Sequence, residues 1–249
     1  MAEREALLDG AGRVVATFVR GTRDGLPLAD DLSAAPGVPL PAIADVACAQ
    51  LRGHVVETPA PLGDQLLARG ATLRRRSVLM TCDPSAPRPA VPTPGGVLLG
   101  PARGVPVDAL LDAYIDAYPP GHPDHHAGAD HGGHRELLAA LMAGAAIGPV
   151  MGCARTAATG GRLVGAALVF DMPGEPPLCG PWVGELFRHP GAPPGTGAAL
   201  LAAALDRAAA DGLPAVGLRV STGNPARRLY DAFGFTQTRS SVAVLVGAP

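Results

Sequence analysis

PWVGELFRHPGAPPGTGAALL, residues 181–201, decides how the chain is read. Residues 182–188 have the composition of a strand, residues 189–196 form a proline- and glycine-rich turn, and an alanine/leucine helix opens at Gly197. Glycine lets a backbone approach a ligand closely. A fresh helix N-terminus offers unpaired N–H groups at the positive end of a dipole. Together they make an anion site, most often for phosphate. The candidate contacts are Gly195, Thr196, Gly197 and Ala198, with the Thr196 hydroxyl either a further donor or a part of the turn. Two other readings compete. A dinucleotide fingerprint wants a third glycine where Leu200 stands, and a purely structural turn needs no ligand.

The 249 residues allow one large domain or two small ones. A hydrophobic content of 47% is ample for a core, and 4% aromatics means that Ala, Leu and Val must build it. All 20 basic residues are Arg, and the net charge of −2 argues against a nucleic-acid partner, which needs a basic face. Cys48, Cys82, Cys153 and Cys179 are far apart and form no CxxC pair, so buried free thiols are expected. The start, MAEREALLDG, is charged and has no apolar signal core. No apolar run reaches the ~18 residues of a membrane span. The expectation is a soluble cytoplasmic protein without a membrane partner.

Strands are expected at 13–19, 55–57, 73–81, 96–99, 150–156, 163–170, 182–188, 215–220 and 235–246. Helices are expected at 41–51, 61–68, 107–118, 135–145, 197–210 and 225–233. Residues 21–39 read as loop, and 119–133 as a loop holding most of the histidines. The proline-rich stretch around 86–94 reads as a linker between an N-terminal region, 1–85, and a domain over 95–249. Alternating strands and helices predict an α/β (α+β) architecture. A repeat runs through both parts at a constant offset of 164. Gly53, Val56, Thr58, Pro61, Ala68, Gly70, Thr72, Arg75, Ser77 and Val78 match Gly217, Val220, Thr222, Pro225, Ala232, Gly234, Thr236, Arg239, Ser241 and Val242. This density across one strand–helix–strand unit suggests duplication. The first copy has no glycine turn and carries Leu66 where the second has Tyr230, so it is expected to be a degenerate, structural copy.

The second copy and the turn before it resemble the GCN5-related N-acetyltransferase (GNAT) superfamily. The family turn Arg/Gln-x-x-Gly-x-Gly/Ala with a following Leu-Leu helix is matched by Ala192-x-x-Gly195-x-Gly197 and Leu200-Leu201. The later signature is matched by Ala226, Leu229, Tyr230, Gly234 and Phe235. The chain departs from the pattern at Ala192, at Pro193 and Pro194, which lack an N–H, and at Gly223, with Asn224 one residue late. The resemblance implies an acyl-CoA N-acyltransferase fold: a mixed, mostly antiparallel central sheet with splayed strands, flanked by helices. It implies acetyl-CoA as co-substrate and a small-molecule or peptide amine as acceptor. Leu186, Phe187 and Arg188 would flank the pantetheine arm, and Asn224 would join the cofactor contacts. Tyr230 would protonate the departing thiolate, and Glu185 or a water would deprotonate the amine.

Each candidate has a plainer reading. Tyr230 could be core packing with a wet hydroxyl, and Glu185 a solvated strand residue. Strand alternation sets Glu185 on the face of Val183 and Phe187, away from Arg188. His122, His125, His126, His131 and His134 lie on a stretch without helical metal-ligand spacing, so no metal is expected. Asp116, Asp124 and Asp130 there could draw in a cationic amine. The departures in the turn motivate a second reading, a non-catalytic acyl-CoA-binding or scaffold module. The sequence selects neither an acceptor nor between a monomer and a homodimer.

Overall fold

The structure is a computed structural model, and it describes residues 3–23, 25–125, 128–174 and 179–247. In chain order its elements begin with β1 (Arg4–Leu8), β2 (Val14–Arg23), β3 (Leu26–Ala34), α1 (Leu40–Gln50), β4 (Val55–Pro59), α2 (Ala60–Leu67) and β5 (Thr72–Cys82). They continue with β6 (Val97–Pro101), α3 (Val107–Ala117), α4 (His131–Met142), β7 (Arg155–Thr159), β8 (Arg162–Met172) and β9 (Gly180–Arg188). Last come α5 (Thr196–Ala210), β10 (Val216–Ser221), α6 (Arg227–Ala232) and β11 (Thr236–Leu245). Contacts divide the chain into a first unit, residues 1–79 with 239–249, and a second, residues 80–238. The division falls inside β5 and β11 and not in the proline-rich stretch, which is counted with the second unit.

In the first unit, β1, β2 and β3 form an antiparallel meander, β4 runs parallel to β3, and β11 pairs antiparallel with β4. The α1 helix turns Ile43, Ala44 and Ala47 inward at helical spacing, and α2 turns Leu62 and Leu66 inward. They close a core with Phe18, Leu32, Val56 and Val244. Repeat-equivalent Ser77 and Ser241 meet within this unit, their buried hydroxyls 2.9 Å apart. In the second unit, β6, β7, β8 and β9 are antiparallel neighbours and β10 runs parallel to β9. Both units are mixed, mostly antiparallel sheets with flanking helices.

The run β1 to β5 has the same order of elements as β7 to β11, and the offset of 164 carries Thr72 at the start of β5 onto Thr236 at the start of β11. A finer feature recurs. The parallel pairing of β3 with β4 has only two rungs, Leu28↔Val55 and Ala29↔Val56. Just beyond them β3 bulges, with Asp31 and Leu32 together opposite Phe18, and Asp31 takes a φ of 46°. Arg4 and Arg239 both pair with Asp31. The two strands are then bridged, because the buried Thr58 hydroxyl donates to the Leu32 carbonyl at 2.8 Å.

Three sequence expectations change. Residues 21–39 contain β3, which the bulge hid by breaking the alternation of buried side chains. The charged N-terminus forms β1, which buries only Leu7 and ties its Glu5 to Arg20. Residues 150–154 are mostly turn, with Val150 in an isolated bridge to Phe170, and the strand itself is β7. Thr58→Val keeps the side-chain shape but leaves the Leu32 carbonyl without its donor. It lowers stability by about 1–3 kcal/mol, measured as a fall in the denaturant midpoint.

Candidate active site

The site begins with a defect in pairing. β9 and β10 share two rungs, Trp182↔Gly217 and Val183↔Leu218, and no more. On its other edge β9 stays paired to β8, but Val183 faces Val169 while Glu185 faces Leu168, so Gly184 is an extra residue. A Cβ on Gly184 would lie 2.6 Å from Ile147 Cδ1 and 2.7 Å from Phe170 Cε2, so the bulge fits only where the side chain is missing. Beyond it β9 leaves β10, and a wedge opens between them.

The bulge also corrects the alternation. Val183 and Glu185 oppose consecutive residues of β8 and so lie on opposite faces. Glu185 and Phe187 stay together, opposite Leu168 and Ala166, and face α3. There the Tyr114 ring stands edge-on to Phe187 at 5.3 Å. The Tyr118 hydroxyl donates to Glu185 Oε2 at 2.6 Å, and the Tyr114 hydroxyl is hydrogen-bonded to the same carboxylate. Tyr230, from α6, is 7% exposed and edge-on to Phe235. Burial foremost, then the charges of Glu185 and Asp124, raises its phenol above the ordinary range. Burial and Glu185 raise Tyr114 and Tyr118 likewise. The chain has three tyrosines, and all three surround one carboxylate. Among the described residues the Tyr230 hydroxyl has no hydrogen-bond partner.

The turn delivers fewer donors than its glycines suggest. Gly195 caps α5 with a φ of 89°, a left-handed conformation that favours glycine. The Ala192 N–H donates to His189 O at 2.9 Å, and Pro193 and Pro194 have none to give. Thr196 is fully buried; its N–H and its hydroxyl both go to Pro193 O, at 3.2 and 2.7 Å. It therefore holds the turn and is not a further donor. Among the described residues the N–H groups of Gly195, Gly197 and Ala198 have no acceptor in the protein. Arg188 is exposed, and its guanidinium lies 3.3 Å from the carbonyls of His189 and Pro190. Leu186 is half-buried on the strand between Glu185 and Phe187.

The other polar candidates are engaged. Asn224 donates to Asp124 Oδ2 at 2.6 Å and accepts the Ala226 N–H at 2.8 Å, so it holds the turn into α6. Asp124 also accepts from the Ser221 hydroxyl. Asp116 pairs with His189, and Asp130 is the N-cap of α4, accepting the Gly133 N–H at 2.8 Å. That cap ends the expected loop at 130, so His131 and His134 are helical. His126 lies outside the described residues. Among the described residues no three His, Cys, Asp or Glu side chains gather as metal ligands. The four cysteines are free, and burial pushes the Cys82 thiol up to about 12.

Sequence reasoning missed Tyr118 and Ser221. The signal for the first was present: two of the chain's three tyrosines stand four apart on one helix, hence on one face.

No family model matches the chain, and no curated protein matches it. Solved structures do. A GCN5-related N-acetyltransferase from Sphaerobacter thermophilus superposes with a TM-score of 0.65 at 17% identity, over 98% of this chain and 81% of that one. A tandem GNAT protein from the clavulanic acid biosynthesis pathway gives 0.60 at 17% identity, over 95% and 80%. A GNAT-family acetyltransferase from Colwellia psychrerythraea gives 0.61 at 13% identity, over 98% and 85%. At such identities the likeness is one of fold. No helix of the described residues is long and apolar enough to cross a membrane.

Gly184→Val forces a side chain into Ile147 and Phe170. It destabilises the protein by about 1–3 kcal/mol, read from thermal unfolding, and it weakens any ligand that uses the freed edge of β9, read by calorimetry.

Proposed function

We propose, from the acyl-CoA N-acyltransferase fold that this chain has, that it transfers an acetyl or related acyl group from acyl-CoA to a primary amine. One juxtaposition carries the reading. A strand freed from its neighbour runs beside a helix N-terminus with unpaired N–H groups, and toward a half-buried carboxylate ringed by phenols. The N–H groups of Gly195, Gly197 and Ala198 suit a diphosphate, with the dipole of the long α5 helix behind them. The freed edge at Leu186, Phe187 and Arg188 suits the amide groups of a pantetheine arm.

Acetyl-CoA supplies an activated thioester when bound. The amine reaches the site mostly protonated at neutral pH, and Glu185, directly or through a water, takes its proton. The amine nitrogen then bonds to the carbonyl carbon, the C–S bond breaks, and Tyr230 gives its proton to the thiolate. Burial and two nearby carboxylates keep the Tyr230 phenol protonated through neutral pH, as that step requires. A backbone N–H of the freed edge serves the developing oxyanion. The acceptor class is an amine, small or peptidic.

One observation favours a second reading. Ala192, Pro193 and Pro194 contribute no donor, so the cradle is sparse, as in a non-catalytic acyl-CoA-binding or scaffold module. A rise in melting temperature with acetyl-CoA, without CoA release in the presence of amines, selects this module. A rise together with CoA release selects the enzyme.

Tyr230→Phe lowers kcat by about 10²–10⁴-fold while acetyl-CoA raises the melting temperature as in the parent; equal turnover removes Tyr230 from the mechanism. The first unit resembles a duplicated scaffold whose β3–β4 splay is bridged by Thr58, and it lacks the glycine turn. Calorimetry therefore gives about one acetyl-CoA per chain, and a stoichiometry of two contradicts the structural role given to that copy.

A further inference from the structure

The segment leaving α3 is fastened at both ends. At its start the Tyr118 hydroxyl holds Glu185 at 2.6 Å. The Tyr118 ring is edge-on to Tyr114 at 5.5 Å and to His122 at 5.2 Å, and its carbonyl lies 2.7 Å from His125 Nδ1. Further along, Asp124 accepts from the Ser221 hydroxyl and, at 2.6 Å, from the Asn224 amide. Glu185 belongs to β9, and Ser221 ends β10. Their strands stop pairing at Val183↔Leu218, so both residues lie beyond the last rung. Residues 118–124 therefore run from one arm of the wedge to the other.

We propose that this strap is the positioning element of the acyl-transfer site: Tyr118 fixes the Glu185 carboxylate beside Tyr230, and Asp124 fixes the opposite arm at Ser221 and Asn224. The inference rests on the transferase reading and adds two positioning residues to it. A carboxylate on a strand that has lost one neighbour can rotate about its own side-chain torsions. A phenol wedged between two rings removes that freedom without adding a charge. Small displacements of a base from its target are costly in rate, so the strap has a kinetic consequence.

The two ties have different signatures. A hydrogen bond donated to a carboxylate favours its charged form. Removing the Tyr118 hydroxyl therefore lets Glu185 take a proton at higher pH, and the base is lost earlier as pH falls. Asp124 is tied to Ser221 and Asn224, and its removal releases that arm and takes a negative charge from beside Tyr230. Among the described residues, the groups facing this pair are Tyr114 from α3, Tyr230 from α6, His122 and Asp124 from the strap, His125 just after it, and His134 from α4, whose ring stands 6.1 Å from Tyr114.

The test uses the full chain, acetyl-CoA and a panel of ethylamine, tyramine, spermidine and a peptide N-terminus, with CoA release followed against pH. Tyr118→Phe is expected to lower kcat by about 10–100-fold, to leave the KM for acetyl-CoA within about twofold, and to move the acidic limb of the profile to higher pH. Asp124→Ala is expected to lower kcat without moving that limb to higher pH. A Tyr118→Phe protein with the parent's kcat and profile overturns the proposal, and so does a loss that only follows a lower melting temperature. A second measurement needs no turnover. Glu185→Gln is expected to bring tyrosinate absorbance in at lower pH than in the parent, because the anion facing all three phenols is gone. Identical titrations overturn the contact itself. A parent chain that neither binds acetyl-CoA nor releases CoA overturns the transferase reading, and the titration then decides on its own whether Tyr118 holds Glu185.

Discussion

One extra residue in β9 sets the geometry of the second unit. Side chains on a strand alternate with a period of two, so the bulge at Gly184 turns everything after it to the other face. Before the bulge, Trp182 and Val183 sit in the parallel pair with β10. After it, Glu185 and Phe187 point at α3, and the β10 side of the backbone is released. An unpaired sheet edge inside a protein carries free N–H and C=O groups that must find partners. A ligand that offers amides along its length satisfies them at little reorganisation cost. The missing side chain at Gly184 is thus a packing condition for the opening as well as a backbone one, since Ile147 and Phe170 occupy the space.

The first unit contains the same device in a closed form. There the bulge falls at Asp31, whose left-handed conformation is held by arginines from two strands. The parallel pairing again stops after two rungs, and the Thr58 hydroxyl spans the gap to Leu32 O. Leu66, at the repeat position of Tyr230, lies in the core of that unit.

Much of the second unit was legible in the sequence because its signals are local. The strand–turn–helix at 182–210 and the helix that carries Tyr230 follow from residue types within one or two turns of each other. What was hidden depends on pairing. The bulge at Gly184 shows only in the register with β8, so Val183 was set on the wrong face. β3 was read as loop for the same reason, its alternation cut at Asp31. The prolines at 193 and 194 were visible, but Thr196 was left open because nothing local says that Pro193 O takes both of its donors. Asn224 and Asp124 meet across a hundred residues, a contact no spacing rule contains.

The clustering of phenols around Glu185 has a consequence for the order of proton transfers. While Glu185 is ionised its charge adds to burial in raising Tyr230, so the phenol keeps its proton. In the proposed transfer Glu185 would take the proton of the amine, and the loss of its charge would make the phenol more acidic, with burial still raising it. In that scheme the proposed base would strengthen the proposed acid. Asp124, the other carboxylate that raises Tyr230, accepts from Ser221 and Asn224. The order this would set, amine deprotonation first and thiolate protonation second, is the one the proposed direct transfer demands. The proposed order rests on the placement of one carboxylate among three tyrosines.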